Sequence, residues 1–124
     1  MAIKKDIYDK SFAKLEEDFS IQYLSGIGTA GLVVQSHPYY EMYMMVTGEV
    51  AYQTEAGFFK LRPGDMMFFD THYEHCPIIL NRRVPYERIV LNIQPEKLQS
   101  LSRGDIDLAE CFKQKNDKFF RFPY

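Results

Sequence analysis

The sequence that decides the fold is a pair of half-patterns, Gly31-Leu-Val-Val-Gln35-Ser-His37-Pro-Tyr39-Tyr40-Glu41 and Gly57-Phe-Phe-Lys-Leu-Arg-Pro63-Gly64-Asp65, and the second continues through an apolar stretch to His75. Pro38 interrupts the first pattern because it pushes the preceding residue toward extended backbone and cannot donate to a sheet. The Pro63-Gly64 pair predicts a tight turn, which Asp65 is expected to hold through side-chain bonds to the backbone. These turns are expected to bring together the imidazoles of His37 and His75, the carboxylate of Glu41 and the amide of Gln35. They hold a metal, bind a ligand or fill the core, and all three alternatives stay open.

Short apolar stretches surround these half-patterns, separated by turn residues roughly every eight to twelve positions, which indicates a sandwich or barrel. The predicted strands are 21–24, 32–35, 41–47, 50–54, 58–61, 66–69, 76–80 and 86–93. From Pro95 the period changes, and the pattern predicts a short helix over 96–101 and a second over 105–115. Phe12, Leu15 and Phe19 have helical spacing and indicate either a helix, an arm over the barrel or a loosely packed lead-in.

Composition excludes several classes of protein. The 124 residues suffice for one domain, and the 15% of aromatic residues suits a β-rich fold. A net charge of −2 and a pI of about 5.9 argue against nucleic-acid binding by this segment. Cys76 and Cys111 lack the spacing of a disulfide framework or a zinc site. Without a signal-peptide pattern or a run of about 20 apolar residues, we expect a soluble cytoplasmic protein.

The order and spacing of the two half-patterns resemble the two motifs of the cupin superfamily. Within it, the segments 37–43, 61–67 and 86–91 are most similar to the N-terminal effector-binding domain of AraC-type bacterial transcription regulators. The resemblance covers roughly residues 21–115. It implies a mainly β fold, a cupin jelly-roll barrel (double-stranded β-helix) over about 21–94, followed by two short helices over about 95–116. Residues 1–124 then form a single sensory domain, and the DNA-binding helix-turn-helix domain is expected to lie outside this chain.

The resemblance also implies where a metal would lie. Metal cupins offer His-x-His-x3-Glu from the first motif and one histidine from the second. The corresponding residues here are Gln35, His37, Glu41 and His75, so that an amide replaces the first histidine. Two imidazoles and a carboxylate still match the ligand types of a facial triad. We therefore expect no cofactor as the first choice, with one divalent transition metal on His37, Glu41 and His75 as the alternative.

A ligand cradle is the second interpretation of the same residues. Alternation along a strand places Glu41, Tyr43 and Met45 on one face, and hydroxyl groups of a sugar would suit such a lining if it points inward. The predicted ligand-binding residues are Gln35, His37, Tyr39, Glu41, Tyr43, His75 and Arg88. In the structural alternative, His37 caps its hairpin and Glu41 forms an ion pair with Arg88 inside the core.

These observations predict an effector-binding and dimerisation domain of an AraC-type regulator, not an enzyme, which senses a small polar molecule such as a carbohydrate. DNA would be bound only through a domain absent here. A homodimer is expected through apolar residues of the helices, unless they pack on the barrel: Leu98, Leu101, Leu108 and Phe112. The alternative function is a small metal-dependent cupin enzyme, an isomerase or a dioxygenase.

Overall fold

The computed structural model describes Leu15 and residues 17–26, 34–113 and 119–121. The strands are β1 (Phe19–Ser25), β2 (Tyr40–Thr47), β3 (Val50–Thr54), β4 (Gly57–Lys60), β5 (Met66–Phe69), β6 (His75–Ile79), β7 (Glu87–Ile93) and β8 (Phe119–Phe120). A helix, α1 (Pro95–Leu101), and a 3₁₀ helix (Leu108–Phe112) follow β7. The mainly β character predicted from the sequence is confirmed.

The strands form two antiparallel sheets. One has five strands in the order β1-β7-β2-β5-β8, and the other has three in the order β4-β3-β6. In the larger sheet, Glu41 of β2 lies opposite Phe69 of β5 and opposite Asn92 of β7. Side chains opposite one another in a sheet project from the same face. The register therefore places Asn92 beside Glu41 on one face of the sheet.

The core lies between the sheets and is rich in aromatic rings. Along β2, Glu41, Tyr43 and Met45 are almost fully buried, as the predicted alternation requires. The buried core cluster comprises Tyr43, Met45, Val50, Tyr52, Leu61, Met67, Phe69, Tyr73 and Tyr86. Burying each large side chain contributes about 1.5–3 kcal/mol, so this cluster accounts for much of the stability of the domain.

The opposite face of the larger sheet is only partly covered. Leu98 of α1 and Phe112 of the 3₁₀ helix pack against Tyr40 and Ile93, and the rings of Tyr40 and Phe112 lie 4.9 Å apart. In the described part of the chain, no helix is long and apolar enough to cross a membrane.

The predicted jelly-roll barrel is confirmed only in part, because the described residues form two antiparallel sheets and do not close into a barrel. In the described part of the predicted strand 32–35, Gln35 forms an isolated bridge with His75, with backbone N–O distances of 2.8 and 3.1 Å. Pro38 follows closely and cannot donate to a ladder, which explains why pairing does not continue along this segment. The first part of that predicted strand, Leu32 and Val33, lies outside the described residues, as do Phe12, Gly28 and Gly31.

The second predicted α-helix, 105–115, is also wrong, because the described residues there form the shorter 3₁₀ helix. The Asp107 side chain accepts a hydrogen bond from the Ala109 backbone N–H at 3.0 Å and so begins the helix late. Before it, Arg103 and Ile106 exchange backbone hydrogen bonds around Gly104, whose φ of +56° suits glycine. The end of the predicted helix, at 114–115, lies outside the described residues.

A buried carboxylate holds β8 to the rest of the larger sheet. Asp65 accepts the Arg62 backbone N–H at 2.8 Å, which confirms its predicted role in the turn. It also accepts two hydrogen bonds from Arg121, from Nε at 2.9 Å and from Nη2 at 2.6 Å. Burial by itself would raise the pKa of Asp65, but the Arg121 and Arg62 hydrogen bonds lower it below the ordinary value.

We predict that Arg121→Ala lowers the unfolding free energy at neutral pH by about 1 kcal/mol, a fall in Tm of about 4 °C. Because the pKa of Asp65 is depressed in the folded state, its contribution is complete above the unfolded value of about 4. This contribution of Asp65 to stability is lost as the pH falls from the unfolded pKa toward the lower pKa of the folded state. The Tm difference between wild type and variant, measured from pH 7 to pH 3, should therefore shrink in the acid range.

Arg82→Ala, in an exposed loop, is the matched control and should leave the Tm unchanged over the same pH range. A Tm difference for Arg121→Ala that stays constant down to pH 3 would show that Asp65 does not depend on Arg121 for its depressed pKa.

Candidate metal centre

Three ionisable side chains converge in the interior of the domain. His37 precedes β2, Glu41 is on β2 and His75 begins β6, and their exposed fractions are only 2%, 4% and 1%. The Glu41 Oε1 atom lies 2.8 Å from His37 Nε2 and 3.5 Å from His75 Nε2. One ligand atom from each residue lies within 4.8 Å of the others. Two imidazole nitrogens and a carboxylate at such separations are a donor set for a transition metal ion.

The other nitrogen of each imidazole is hydrogen-bonded to the backbone. The Nδ1 of His37 donates to the Tyr39 carbonyl oxygen at 3.0 Å, and the Nδ1 of His75 donates to the Tyr73 carbonyl oxygen at 2.8 Å. Because a carbonyl oxygen can only accept, each Nδ1 carries a hydrogen, and Nε2 is the nitrogen that faces Glu41 and would bind a metal once it carries no proton. Histidines that ligate metals are oriented in this way.

Ring stacking fixes both imidazoles further. The His37 ring stacks on Tyr39 with centroids 4.0 Å apart, and the His75 ring stacks on Phe69 with centroids 3.8 Å apart. The backbone contributes as well, because the His72 N–H donates to the His37 carbonyl oxygen at 2.7 Å. The two imidazoles are therefore held in place by the fold before any ligand binds.

One polar atom of this cluster has no partner. His75 Nε2 is buried and forms no hydrogen bond with the described residues, since 3.5 Å to Glu41 is too long for a useful one. A buried polar atom in that state costs about 1–3 kcal/mol. A metal ion on this atom would remove that cost, so the residues present fit a metal.

The carboxylate of Glu41 is ionised at neutral pH. Burial alone would raise its pKa, but the electrostatic interaction with His75 and the hydrogen bond with His37 outweigh burial and lower it to about 2. An ionised carboxylate is the form that binds a metal cation.

The other predicted ligand-binding residues lie around these three. Tyr39 stacks on His37, and Gln35 pairs through its backbone with His75. Tyr43, two residues after Glu41, is buried and its hydroxyl is hydrogen-bonded to that of Tyr86.

Arg88 lies against Tyr86, the hydrogen-bonding partner of Tyr43. Its guanidinium lies 4.4 Å over the Tyr86 ring, and it donates to the carbonyl oxygens of Gly26 and Tyr86 at 3.4 Å. The alternative in which Glu41 pairs with Arg88 is not formed. Among the described residues, Glu41 is hydrogen-bonded to His37 and lies 3.5 Å from His75 Nε2 instead.

The four residues proposed for dimerisation divide into two pairs. Leu98 and Phe112 are 7% and 4% exposed, because they pack on the larger sheet. Leu101 and Leu108 remain 47% and 39% exposed.

The predicted ligand-binding residues do not include two residues that lie near the centre. Asn92 lies opposite Glu41 in the sheet, and its Oδ1 atom is buried with no hydrogen-bond donor among the described residues. Tyr52, on the other sheet, is 3% exposed, and its ring centroid lies 6.1 Å from that of His75. Alternation along β7 puts the side chains of Asn92 and Arg88 on the same face of the strand. Only the register between β7 and β2 shows that Asn92 lies opposite Glu41.

Comparison with solved structures identifies the fold. The chain is similar to a provisionally assigned mannose-6-phosphate isomerase from Ralstonia eutropha JMP134, with 18% identity, 64% of this chain and 79% of that chain covered, and a TM-score of 0.54. It is similar to a cupin 2 conserved barrel domain protein from Salinispora arenicola CNS-205, with 12% identity, 72% and 74% coverage, and a TM-score of 0.53. No family model and no curated protein matches the sequence.

A third similar structure is that of Fe(II) HppE in complex with substrate, with 16% identity and a TM-score of 0.53. That likeness covers 61% of this chain and 46% of HppE, so the chain spans less than half of that protein. At these identities the likeness concerns the fold, and the chain has the fold of a cupin domain.

Two expectations from the sequence are corrected. The prediction that the chain is not an enzyme is contradicted, because structures of this fold include a provisionally assigned isomerase and an Fe(II) protein in complex with substrate. The prediction of no cofactor is contradicted by the buried cluster of His37, Glu41 and His75, which points to a metal.

We predict that the Zn(II)-loaded protein contains His37 and His75 in one tautomer, with hydrogen on Nδ1 and zinc on Nε2, because both Nδ1 atoms donate to carbonyl oxygens. Long-range ¹H–¹⁵N NMR correlations of the imidazoles measure this directly. The exposed His72 is the internal control and should show no metal-induced shift. Zinc bound through Nδ1 of either ring would contradict the geometry.

Proposed function

We propose that His37, Glu41 and His75 hold one divalent transition metal, and that the chain is a small metal-dependent cupin enzyme. The observation that carries this proposal is the buried, unpartnered Nε2 of His75 beside an ionised carboxylate. The bound metal would act as a Lewis acid or, as iron, as a redox centre, and both actions suit an isomerase or a dioxygenase.

The surrounding residues support such a site. Phe69 and Tyr39 cover one ring face of each histidine, while the backbone carbonyls of Tyr39 and Tyr73 fix the ring orientations. An apolar shell limits water access and strengthens charge interactions inside it. These residues therefore orient the ligand atoms and exclude water.

Two structural neighbours support the same class of function. HppE carries Fe(II) and was determined in complex with substrate, and the protein from Ralstonia eutropha is provisionally assigned as an isomerase. Neither likeness selects between the two reactions for this chain.

We predict that the purified protein, reconstituted without oxygen with Fe(II) or Co(II), binds one metal ion per chain. His75→Ala and Glu41→Gln should each weaken the metal affinity by more than about 100-fold. Replacing a residue that only orients a metal ligand already weakens metal binding, and replacing the ligand itself should weaken it at least as much. Metal analysis after gel filtration and a Co(II) titration followed by visible absorption measure this.

His72→Asn is the matched control, since it removes an exposed histidine from the turn before His75. The φ of His72 is 62°, a backbone conformation that asparagine also adopts. The metal centre is disproved if wild type retains no stoichiometric metal or if His72→Asn loses as much affinity as His75→Ala.

A second candidate function is the sensing role that the resemblance to AraC-type regulators implies, in which a small molecule at this site acts as effector and the domain forms a homodimer. The exposed Leu101 and Leu108 favour it, because they leave apolar surface on the helical segments after the sheet. DNA binding would then depend on a domain outside this chain.

We predict that, if the domain forms a homodimer, Leu101→Glu together with Leu108→Glu weakens it by at least about tenfold, since two apolar contacts are lost. Light scattering coupled to size-exclusion chromatography measures the change. Leu80→Glu, at a leucine that directly follows β6 and is 44% exposed, is the control. A monomeric wild type, or equal dissociation by Leu80→Glu, would rule out this surface.

A further inference from the structure

Asn92 carries a hydrogen-bonding group that the protein does not use. It lies directly opposite Glu41 in the pairing of β7 with β2, so its side chain leaves the sheet on the same face. In an antiparallel pair this separates the two Cβ atoms by about 5 Å. The buried Oδ1 has no donor among the described residues, and a buried acceptor in that state destabilises the fold. If Asn92 served only the stability of the fold, a hydrogen-bond donor of the protein would be expected beside its Oδ1.

Tyr52 provides a second unused group on the opposite sheet. Its ring lies against the rings of Tyr43, Phe69 and His75, with centroid distances of 4.8, 5.3 and 6.1 Å. It is almost fully buried, yet its hydroxyl forms no hydrogen bond with the described residues, whereas the neighbouring Tyr43 and Tyr86 hydroxyls bind each other. The larger sheet therefore presents an amide beside Glu41, and the smaller sheet presents a phenol beside His75.

The charges near this face indicate what these groups would bind. Arg88 is on the same face of β7 as Asn92, but its guanidinium is engaged by the Tyr86 ring and by two carbonyl oxygens. The free polar groups are thus uncharged. An amide oxygen accepts a hydrogen bond, and a phenol both donates and accepts, so a hydroxyl group matches both. A phosphate or an ionised carboxylate has no hydrogen-bond donor for the Asn92 oxygen, even where a bound metal would attract its charge.

We propose that Asn92 and Tyr52 are the ligand-positioning residues of the metal centre, and that they select a small, uncharged, hydroxyl-bearing molecule of the polyol or sugar class. This inference rests on the proposed metal function, because the metal would hold the ligand between the two groups. Asn92 accepts from one hydroxyl beside Glu41, and Tyr52 contacts another from the facing sheet. The molecule's hydroxyls thereby satisfy groups that the fold leaves without partners.

The test uses the full chain loaded with Co(II) and titrated with glycerol, erythritol and xylitol, with visible Co(II) absorption as the readout. Wild type should respond to at least one polyol. Asn92→Leu and Tyr52→Phe should each weaken that polyol's affinity about tenfold, as expected for a lost hydrogen bond in a buried site. Co(II) affinity should change by less than about threefold, since neither residue is a metal ligand.

A second readout separates a ligand-positioning role from a structural one. Asn92→Leu keeps the branched shape but removes the unpartnered acceptor, so the metal-free variant should have a Tm about 4 °C higher than wild type. A structural amide would give a lower Tm. Gln22→Leu, which also replaces a side-chain amide by leucine but at an exposed position on the neighbouring β1, is the control and should alter neither the Tm nor the polyol response.

The outcomes distinguish this inference from the metal proposal. Absence of Co(II) binding in wild type would overturn the metal centre, and it would be seen before any polyol is added. Normal Co(II) binding without any polyol response would overturn the ligand class alone. A lowered Tm and an unchanged polyol response in Asn92→Leu would overturn the role of Asn92.

Discussion

The buried carboxylate of Glu41 is the constraint on which this structure depends. A carboxylate this deep in a protein must be paired or must bind a cation, because losing its hydration is costly. Two imidazoles meet it here, one from the segment just before its own strand and one from the start of β6 on the other sheet. His75 reaches the carboxylate only when the two sheets are packed together, which couples the folding of the domain to the assembly of its site.

The backbone connects the two histidine-bearing segments directly. The bridge between Gln35 and His75 and the hydrogen bond from His72 to His37 join them without a continuous ladder. His72 has the left-handed backbone conformation, unusual for a residue other than glycine, and this allows its N–H to reach His37. Local irregularity near the site is thus part of how the imidazoles are positioned. A regular strand through Pro38 would not allow the same arrangement.

Polar groups inside the domain fall into two kinds. Asp65, Tyr43 and Tyr86 have protein partners and serve the fold. His75 Nε2 and Asn92 Oδ1 have no partner among the residues that the structure describes, and both lie near Glu41. Proteins keep buried groups without partners chiefly where a ligand or ion provides the partner, because each one lowers the stability of the folded state. The distribution of unpartnered atoms therefore separates the site from the core around it.

The sequence by itself determined the strands with strong alternation, the turn held by Asp65, and the two half-patterns that contain His37, Glu41 and His75. Local rules suffice for these features, because turn chemistry and side-chain period act over a few residues. Only the tertiary structure decided that the domain forms two sheets, that residues 108–112 form a 3₁₀ helix, and that Arg88 lies against Tyr86. It also decided that Asn92 lies beside Glu41, since strand register depends on contacts between residues about fifty positions apart, which no local pattern encodes.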